Sequence, residues 1–190
     1  PEIYQGVVEI KAIAREAGER TKMAVWSNNP DVDAIGACIG PRGNRVQVVI
    51  DELKGEKIDI FEWSDNISEL IKNALAPAQI LAVLPTEDKR SLLVIVEDNQ
   101  LSLAIGKKGK NARLAVKLTG MRIDIKTAGE IEEQGIDWKT MMLQFAAEEQ
   151  KRLAEQRMAK QLEEIEVVSE EAEAEAEAEI ETPEASEAIE

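Results

Sequence analysis

Two short turns in this sequence combine glycine with basic residues at a spacing that suits the binding of an anion. They read Ile39-Gly40-Pro41-Arg42-Gly43-Asn44-Arg45 and Ile105-Gly106-Lys107-Lys108-Gly109-Lys110-Asn111, at an offset of 66 residues. Glycine lets a backbone approach a phosphate closely and adopt positive φ without a Cβ clash. A helix that begins at such a turn adds free N–H groups and the positive end of its dipole. Each turn is therefore predicted to clamp a phosphate.

Basic side chains on both turns strengthen this prediction. They are Arg42 and Arg45 in the first turn, and Lys107, Lys108, Lys110 and Arg113 in or just after the second. Glycines that only permit a tight turn between helices would not explain why these cations recur. Pro41 has no N–H to offer a phosphate, so the first turn is expected to bind less tightly than the second. Exchange of Lys107 and Lys108 for Asp should then cost more ligand affinity than Arg42→Asp.

Other reactive groups are scarce, which argues against an enzyme or a metalloprotein. The sequence has no histidine and a single cysteine, Cys38. It therefore lacks the usual general base and the commonest metal ligand, and it has no cysteine pair for an intrachain disulfide. Cys38 is expected to be a small buried thiol. We expect no catalytic residue, no metal and no cofactor.

The net charge of −15 is concentrated in the C-terminal part of the chain. Residues 1–128 carry 18 basic and 18 acidic residues, whereas residues 129–190 carry 5 basic and 20 acidic ones. The basic turns thus lie in a neutral region, and the overall acidity does not exclude nucleic acid as a ligand. The sequence has neither a membrane-spanning apolar run nor a secretory signal, and a lone cysteine fits a reducing cytosol. A cytoplasmic protein with no membrane partner is expected.

The similarity between the turns extends into the elements that must position them. Residues 53–60 and 118–125 match at an offset of 65, which indicates two copies of one small domain. Each copy is predicted to contain a hairpin, a helix on either side of the turn, and a closing strand. The two domains are expected to span residues 1–63 and 64–128.

The hairpins are predicted from alternating apolar residues. In the second copy, residues 80–84 and 92–96 flank a polar turn, and in the first copy residues 7–14 and 21–27 lie on either side of Gly18. A helix over residues 7–14 is the alternative, because Ala, Glu and Lys favour helices. The clearer hairpin in the second copy favours a strand. With a leading helix the order is α-β-β-α-α-β, an α+β fold with helices on one face of a small three-stranded sheet.

The C-terminal segment is predicted to differ in kind from the two domains. Residues 129–168 are expected to be a linker with an amphipathic helix, since Trp138, Met141, Met142 and Phe145 recur at helical spacing. Residues 169–190, rich in Glu and Ala, are predicted to be a disordered acidic tail because they cannot bury enough apolar area to offset chain entropy. A solubilising role is expected for this tail. Docking on the basic turns as a mimic of nucleic acid is the alternative.

An Ile-Gly-x-x-Gly turn between two helices resembles the KH family, and the predicted element order resembles its type II form. Three segments extend the likeness: PEIYQG at residues 1–6, VDAIGACIG at 32–40 and LSLAIGKKGKNARLA at 101–115. These resemble the tandem KH region of the NusA family of bacterial transcription termination and antitermination factors. The resemblance covers residues 1–128. Ala112 departs from the KH pattern, which prefers a larger aliphatic residue there.

The resemblance implies that single-stranded RNA, a nascent or leader transcript, is bound in extended form across both domains. Unstacked bases would lie in an apolar groove beside Ile39 or Ile105. The RNA-binding residues expected on this basis are Gly40, Pro41, Arg42, Gly43, Asn44, Arg45, Gly106, Lys107, Lys108, Gly109, Lys110, Asn111 and Arg113.

The resemblance also implies that RNA polymerase and antitermination factors are contacted through the full-length protein, and a monomer is expected. Two alternative functions remain open. The first is a KH module for ribosome assembly or RNA decay, which a basic terminal extension or an attached GTPase or nuclease domain would favour. The second is an acidic protein–protein adaptor whose KH units have lost RNA, which loops without RNA affinity would favour.

Overall fold

The computed structural model describes the backbone of residues 1–86 and 91–180 and the side chains of residues 1–86 and 91–162. Two hairpin-and-helix modules are followed by a C-terminal helical pair. The elements are, in chain order, β1 (Val8–Glu16), β2 (Arg20–Ser27), α1 (Ala34–Ile39), α2 (Asn44–Glu52), β3 (Lys57–Glu62), α3 (Ile67–Leu75), β4 (Ile80–Pro85), β5 (Ser91–Val96), α4 (Leu101–Ile105), α5 (Lys110–Thr119), β6 (Arg122–Thr127), α6 (Ala128–Glu133) and α7 (Trp138–Ile180).

The two three-stranded sheets have the same topology. β2 pairs antiparallel with β1 and parallel with β3, and β5 pairs in the same way with β4 and β6. Each hairpin has a register shift at the corresponding place, between Ile10 and Ala12 in the first and between Ile80 and Ala82 in the second. The strand prediction for residues 7–14 is confirmed. Pairing with β2 satisfies the backbone groups of a segment whose Ala, Glu and Lys residues by themselves favour a helix.

A helix precedes the hairpin in the second module only, within the part of the chain that the structure describes. α3 begins at an Asn66 cap and buries its apolar face. The first module is preceded by turns over residues 2–6, with Gly6 at φ +73°. The predicted order α-β-β-α-α-β therefore holds for the second module, and the first is β-β-α-α-β. One consequence is that Ile13 of β1 is 56% exposed, whereas the corresponding Val83 of β4 is 2% exposed.

Helices cover the second sheet on both faces. α3, α4 and α5 pack on one face, as predicted, around the apolar residues of β5. The reverse face carries Ala82, Leu84 and Ile95, and it is covered by Ile131 of α6 and Trp138 of α7. The predicted helices on one face are confirmed, and α6 and α7 add a further layer on the other face. β4 and β5 are apolar on both sides, so the reverse face also has to be removed from water.

The first sheet has α1 and α2 on one face and the second module on the other. Ala24 and Phe61 on its reverse face belong to the same buried cluster as Leu70 of α3 and Ala115 of α5. α5 lies against both β1 and β2. The two modules therefore share a core, and with the first turns of α7 they form one compact unit, Pro1–Ala146.

The C-terminal helix continues beyond the point that the sequence predicts. α7 runs to Ile180, so the disorder predicted from residue 169 is not found over residues 169–180. Ala and Glu have high helix propensity, and pairs such as Lys151–Glu155, at 3.9 Å, support a helix without a core. Residues 181–190 lie outside the described residues. Across the described ranges, no helix is both long enough and apolar enough to span a membrane.

Candidate nucleic-acid interface

The two Gly-x-x-Gly loops have nearly the same backbone conformation. Gly40 and Gly106, the first glycines, have φ/ψ of 74°/172° and 75°/170°. Gly43 and Gly109, the second glycines, are left-handed at 76°/12° and 71°/14°. The conformation of the first glycine is one that essentially only glycine adopts. The repeated motif is therefore a repeated three-dimensional loop.

The first glycine of each loop also prevents a steric clash. A Cβ atom on Gly106 would lie 2.7 Å from Cβ of Asn111, and one on Gly40 would lie 2.5 Å from Cγ of Arg45. A Cβ on Gly43 or Gly109 would have no atom within 4 Å. The first glycine is thus required by both conformation and contact, and the second by conformation alone.

A basic residue occupies the tip of each loop in a strained conformation. Arg42 has φ +56° and Lys108 has φ +55°, although neither is a glycine. A left-handed conformation at a residue with a side chain costs about 1–2 kcal/mol. Both side chains are exposed, as is that of Lys107. Strain of this kind is commonly retained where a backbone serves binding.

The helices that leave the two loops begin without a side-chain cap. Oxygen atoms of Asp33, Asn66 and Thr127 accept N–H groups at the starts of α1, α3 and α6. α2 and α5 begin after Gly43 and Gly109, and no side chain caps either of them. N–H groups and the positive dipole end remain at both loops, which is the local chemistry that an anion needs.

Asn111 lies inside the protein, contrary to the prediction that it contacts RNA. Its side chain is 2% exposed. The Nδ2 atom donates to the carbonyl oxygens of Leu75, at 3.0 Å, and Ala104, at 3.1 Å. Asn111 therefore links the end of α3 and the end of α4 to the start of α5. It supports the second loop from within.

Three of the predicted basic residues are engaged in ion pairs. Arg45 donates to the carboxylate of Glu2 at 2.8 Å and to the carbonyl oxygen of Ala37 at 2.6 Å. Lys110 pairs with Glu19 at 2.5 Å. Arg113 forms a two-pronged pair with the carboxylate of Glu16, at 2.5 and 3.1 Å.

Arg42, Lys107 and Lys108 are in a different state, since the described part of the structure shows no ion pair for any of them. Asn44 is exposed beside the first loop. The exposed, unpaired charge is thus one cation on the first loop and two on the second. The ranking of the two loops by RNA affinity stays a prediction.

Apolar surface accompanies the second loop. Leu103 is 44% exposed and Ile105 is 38% exposed, whereas Ile39 beside the first loop is half-buried. A separate groove of about 390 Å³ lies between α2 and the first sheet, where it is lined by residues that include Met23, Cys38 and Val46. Partial burial raises the pKa of the Cys38 thiol, so this cysteine is not an activated nucleophile.

Glu16 and Glu19 pair with two of the predicted cations, and neither residue could be singled out from the sequence. Both lie at the β1–β2 hairpin of the first module, yet they pair with Lys110 and Arg113 of the second module. The hydrogen bond from Arg113 lowers the pKa of the Glu16 carboxyl. Glu16 and Arg113 are 97 residues apart, and no local pattern in the sequence signals such a pairing.

Comparison with known proteins gives a consistent result for both modules. Residues 1–63 match the model described as NusA-like first KH domain, and residues 67–133 match the model described as NusA-like second KH domain. The second match extends through α6.

Individual relatives carry the name transcription termination/antitermination protein NusA. The protein of Halalkalibacterium halodurans is 56% identical over 136 residues, which is 72% of this chain and 36% of the relative. The Bacillus subtilis protein is also 56% identical over 136 residues, which is 72% of this chain and 37% of the relative. The Thermus thermophilus protein is 50% identical over 167 residues, which is 87% of this chain and 41% of the relative. The chain spans about two fifths or less of the length of these relatives.

Proposed function

The chain belongs to the family of NusA-like tandem KH domains, and we propose that it binds single-stranded RNA through its two Gly-x-x-Gly loops. The observation that carries the proposal is the repetition of one loop geometry, with an exposed cation at φ near +55° and an uncapped helix after it. Arg42 and Lys108 hold equivalent tip positions. Backbone N–H groups and cations together are suited to a phosphodiester, and they carry no preference for a particular base.

The proposed role in the cell follows from the relatives. They are named transcription termination/antitermination proteins. We propose that this chain is the RNA-binding part of such a factor and acts without catalysis or cofactor. Its ligand would be nascent or leader RNA at RNA polymerase, in the cytoplasm. Polymerase and antitermination factors would be contacted through the full-length protein, and the chain would act as a monomer.

The proposed RNA-contacting set is smaller than the one expected from sequence. It consists of the loop glycines with Arg42, Lys107 and Lys108, whose side chains are exposed. Arg45, Lys110 and Arg113 can add long-range attraction, but each of them is paired with a carboxylate. Asn111 supports the second loop from inside.

The test is a fluorescence-anisotropy titration with a short, mixed-sequence single-stranded RNA. The wild-type chain is compared with Lys107→Asp/Lys108→Asp, with Arg42→Asp, and with Lys108→Asp, which matches Arg42→Asp in position and in charge change. Lys151→Asp/Lys160→Asp on α7 is the control, because it changes the net charge of the chain by the same amount as the double loop variant does. Each variant is also checked by circular dichroism.

We expect the double loop variant to lose most of its RNA affinity and the α7 control to lose little. The loss of affinity at Lys108→Asp should exceed that at Arg42→Asp, because Lys107 provides a second N–H and a second cation beside Lys108, whereas Pro41 provides neither. If the loop double variant and the α7 double variant lose the same RNA affinity, the interaction depends on net charge and not on the loops. If the wild-type chain is folded but binds no RNA, the RNA-binding proposal fails and the protein–protein adaptor is favoured.

A further inference from the structure

The second Gly-x-x-Gly loop is held by residues of the first module. Arg113 lies on the exposed side of α5, one turn after the loop. Its Nε and Nη2 atoms donate to the two carboxylate oxygens of Glu16 at 2.5 and 3.1 Å, and its Nη1 atom donates to the carbonyl oxygen of Lys108 at 3.4 Å. A single guanidinium thus joins the first-module hairpin to the tip of the second loop.

Two further ion pairs strengthen this connection. Glu19, in the turn of the same hairpin, pairs at 2.5 Å with Lys110, the first residue of α5. Glu16 also lies 3.7 Å from Lys117, two turns further along that helix. The hairpin therefore holds α5 from its first residue onward, next to the left-handed Lys108 and Gly109. We name this contact, formed by Glu16, Glu19, Lys110, Arg113 and Lys117, the hairpin clamp.

Among the described residues, the first loop has no equivalent clamp from the other module, since Arg45 beside it pairs with Glu2 of the same module. Gln47 occupies the position in α2 that corresponds to Arg113 in α5, and its Nε2 atom donates to Asp51 on the same helix, at 2.7 Å. The clamp is therefore not a general requirement of the loop geometry, since the first loop reaches the same dihedral angles without it. In the described part of the chain, the second loop is connected to the other module in this way and the first loop is not.

We propose that Glu16 and Glu19 are positioning residues that hold the second loop in its RNA-binding conformation from the first module. The inference rests on the proposed function of that loop. Because Arg113 and Lys110 are held by these carboxylates, their role is to fix the tip carbonyl and the start of α5, while Lys107 and Lys108 meet the phosphate. RNA affinity at the second module then depends on two acidic residues of the first.

The sign of the effect separates this role from simple electrostatics. Replacement of an acid by its amide raises the net charge and frees two cations, so Coulomb attraction alone predicts tighter RNA binding. Positioning predicts weaker binding. The same change of two charges at the exposed Glu52 and Glu62, which lie elsewhere in the first module, measures the electrostatic contribution.

The experiment compares Glu16→Gln/Glu19→Gln with the control Glu52→Gln/Glu62→Gln in the full 190-residue chain. RNA affinity is measured by anisotropy with the short single-stranded RNA. Amide hydrogen exchange at Gly109 and Lys110 is measured without RNA. These two N–H groups donate hydrogen bonds to the carbonyl oxygens of Gly106 and Lys107. Their exchange rates therefore report how well the loop conformation is maintained. Arg113→Lys is a second variant, because it keeps the charge but removes the two-pronged pair.

We expect the clamp variant to bind RNA about three- to tenfold more weakly than the control, as for the removal of partly exposed charge-assisted pairs. Exchange at Gly109 and Lys110 should be faster in the clamp variant and unchanged in the control. Affinity equal to or tighter than that of the control would overturn the inference and leave the proposed function intact. If the wild-type chain binds no RNA, the proposed function fails, and the exchange rates alone decide: unchanged rates overturn the clamp. If the clamp variant does not fold, Arg113→Lys is held to the same criteria.

Discussion

Residues of the two loops that share a type do not share a role. The first and second glycines differ in what surrounds them, since only the first approaches the helix that follows. The cations differ as well, because Arg42, Lys107 and Lys108 face solvent without an ion pair in the described part of the chain, whereas Arg113 is paired with Glu16. The residue type at a motif position therefore specifies a backbone conformation or a charge, and the surrounding residues determine the role of that position.

Alanine substitution of the two glycines in the second loop should show this difference. Gly109→Ala should cost about 1–2 kcal/mol of the free energy of unfolding, from left-handed backbone strain alone. Gly106→Ala should cost clearly more, because it adds a 2.7 Å clash with Cβ of Asn111 to an even less accessible conformation. Urea denaturation of both variants provides the measurement. Equal costs at the two positions would show that the loop relaxes away from Asn111.

Glu56 connects three elements of the first module through one carboxylate. It is 1% exposed and lies just before β3. Its carboxylate accepts hydrogen bonds from the Arg15 guanidinium, the Thr21 hydroxyl and the Gly18 N–H, so it joins both strands of the hairpin and the turn between them. The hydrogen bonds from Arg15 and then Thr21 and Gly18 lower the pKa of Glu56 from 4.5 to about 2.

The lowered pKa of Glu56 predicts a loss of stability in acid. A carboxyl with a lower pKa in the folded state contributes stability above its ordinary pKa of 4.5, and this contribution is lost as the pH falls from there towards 2. Urea denaturation at pH 7 and pH 3 should therefore show a large difference between wild type and Glu56→Gln at pH 7 and a smaller one at pH 3. Exposed Glu52→Gln is the control. A difference between wild type and Glu56→Gln that is the same at both pH values would contradict this assignment.

α6 is short, but it covers part of the reverse face of the second sheet. Thr127 and Glu130 form a capping box at its start, and Ile131 is 1% exposed against the reverse face of the second sheet. The apolar residues of that face, such as Leu84 and Ile95, depend on this cover. We therefore expect the second module to require residues beyond the predicted boundary at residue 128.

Truncation of the Ile131 side chain tests this role. Ile131→Ala should lower the free energy of unfolding by about 2–5 kcal/mol, because it leaves a cavity at a fully buried site. Val48→Ala, at a residue that is 69% exposed, should change it little. Thermal and urea unfolding measure both variants. A small effect at Ile131 would mean that α6 is not an integral part of the module.

At the scale of the whole molecule, the two modules share a core, and the acidic excess is separated along the chain from the basic loops. Residues 1–146 form one compact unit, so the relative position of the two loops is fixed by packing. The acidic excess lies in residues 129–190, and the loops belong to a segment with balanced charge. The interaction with RNA should therefore be electrostatic in spite of a net charge of −15.

Salt dependence measures how many phosphates the loops engage. RNA affinity should fall linearly with the logarithm of the salt concentration, because bound phosphates release counterions. Lys107→Asp/Lys108→Asp should make this slope shallower by about 1.4, since each phosphate of a single strand that a lysine neutralises contributes about 0.7. Anisotropy titrations at four salt concentrations provide the slopes. A slope that does not change would place the bound phosphates elsewhere on the protein.

The local features of this protein could be predicted from its sequence. The repeated turn, the hairpins and the helices on either side of each turn follow from glycine positions and from the period of apolar residues, which act over a few residues. The tail shows the limit of such reasoning. Composition predicted disorder from residue 169, yet α7 continues to Ile180, in line with the high helix propensity of Ala and Glu.

The tertiary structure decided which of the predicted site residues are exposed and which are buried or paired. Asn111 is buried because α5 packs against α3 and α4, and Arg113 is paired with Glu16 because α5 also packs against the first module. The short turn motif around these residues does not specify either packing. The cover of the second sheet by α6 and α7 and the shared core of the modules have the same origin. The sequence by itself determined the loops and their charge, since backbone conformation depends on neighbouring residues. Only the fold determined their support, because it brings together side chains that are 97 residues apart.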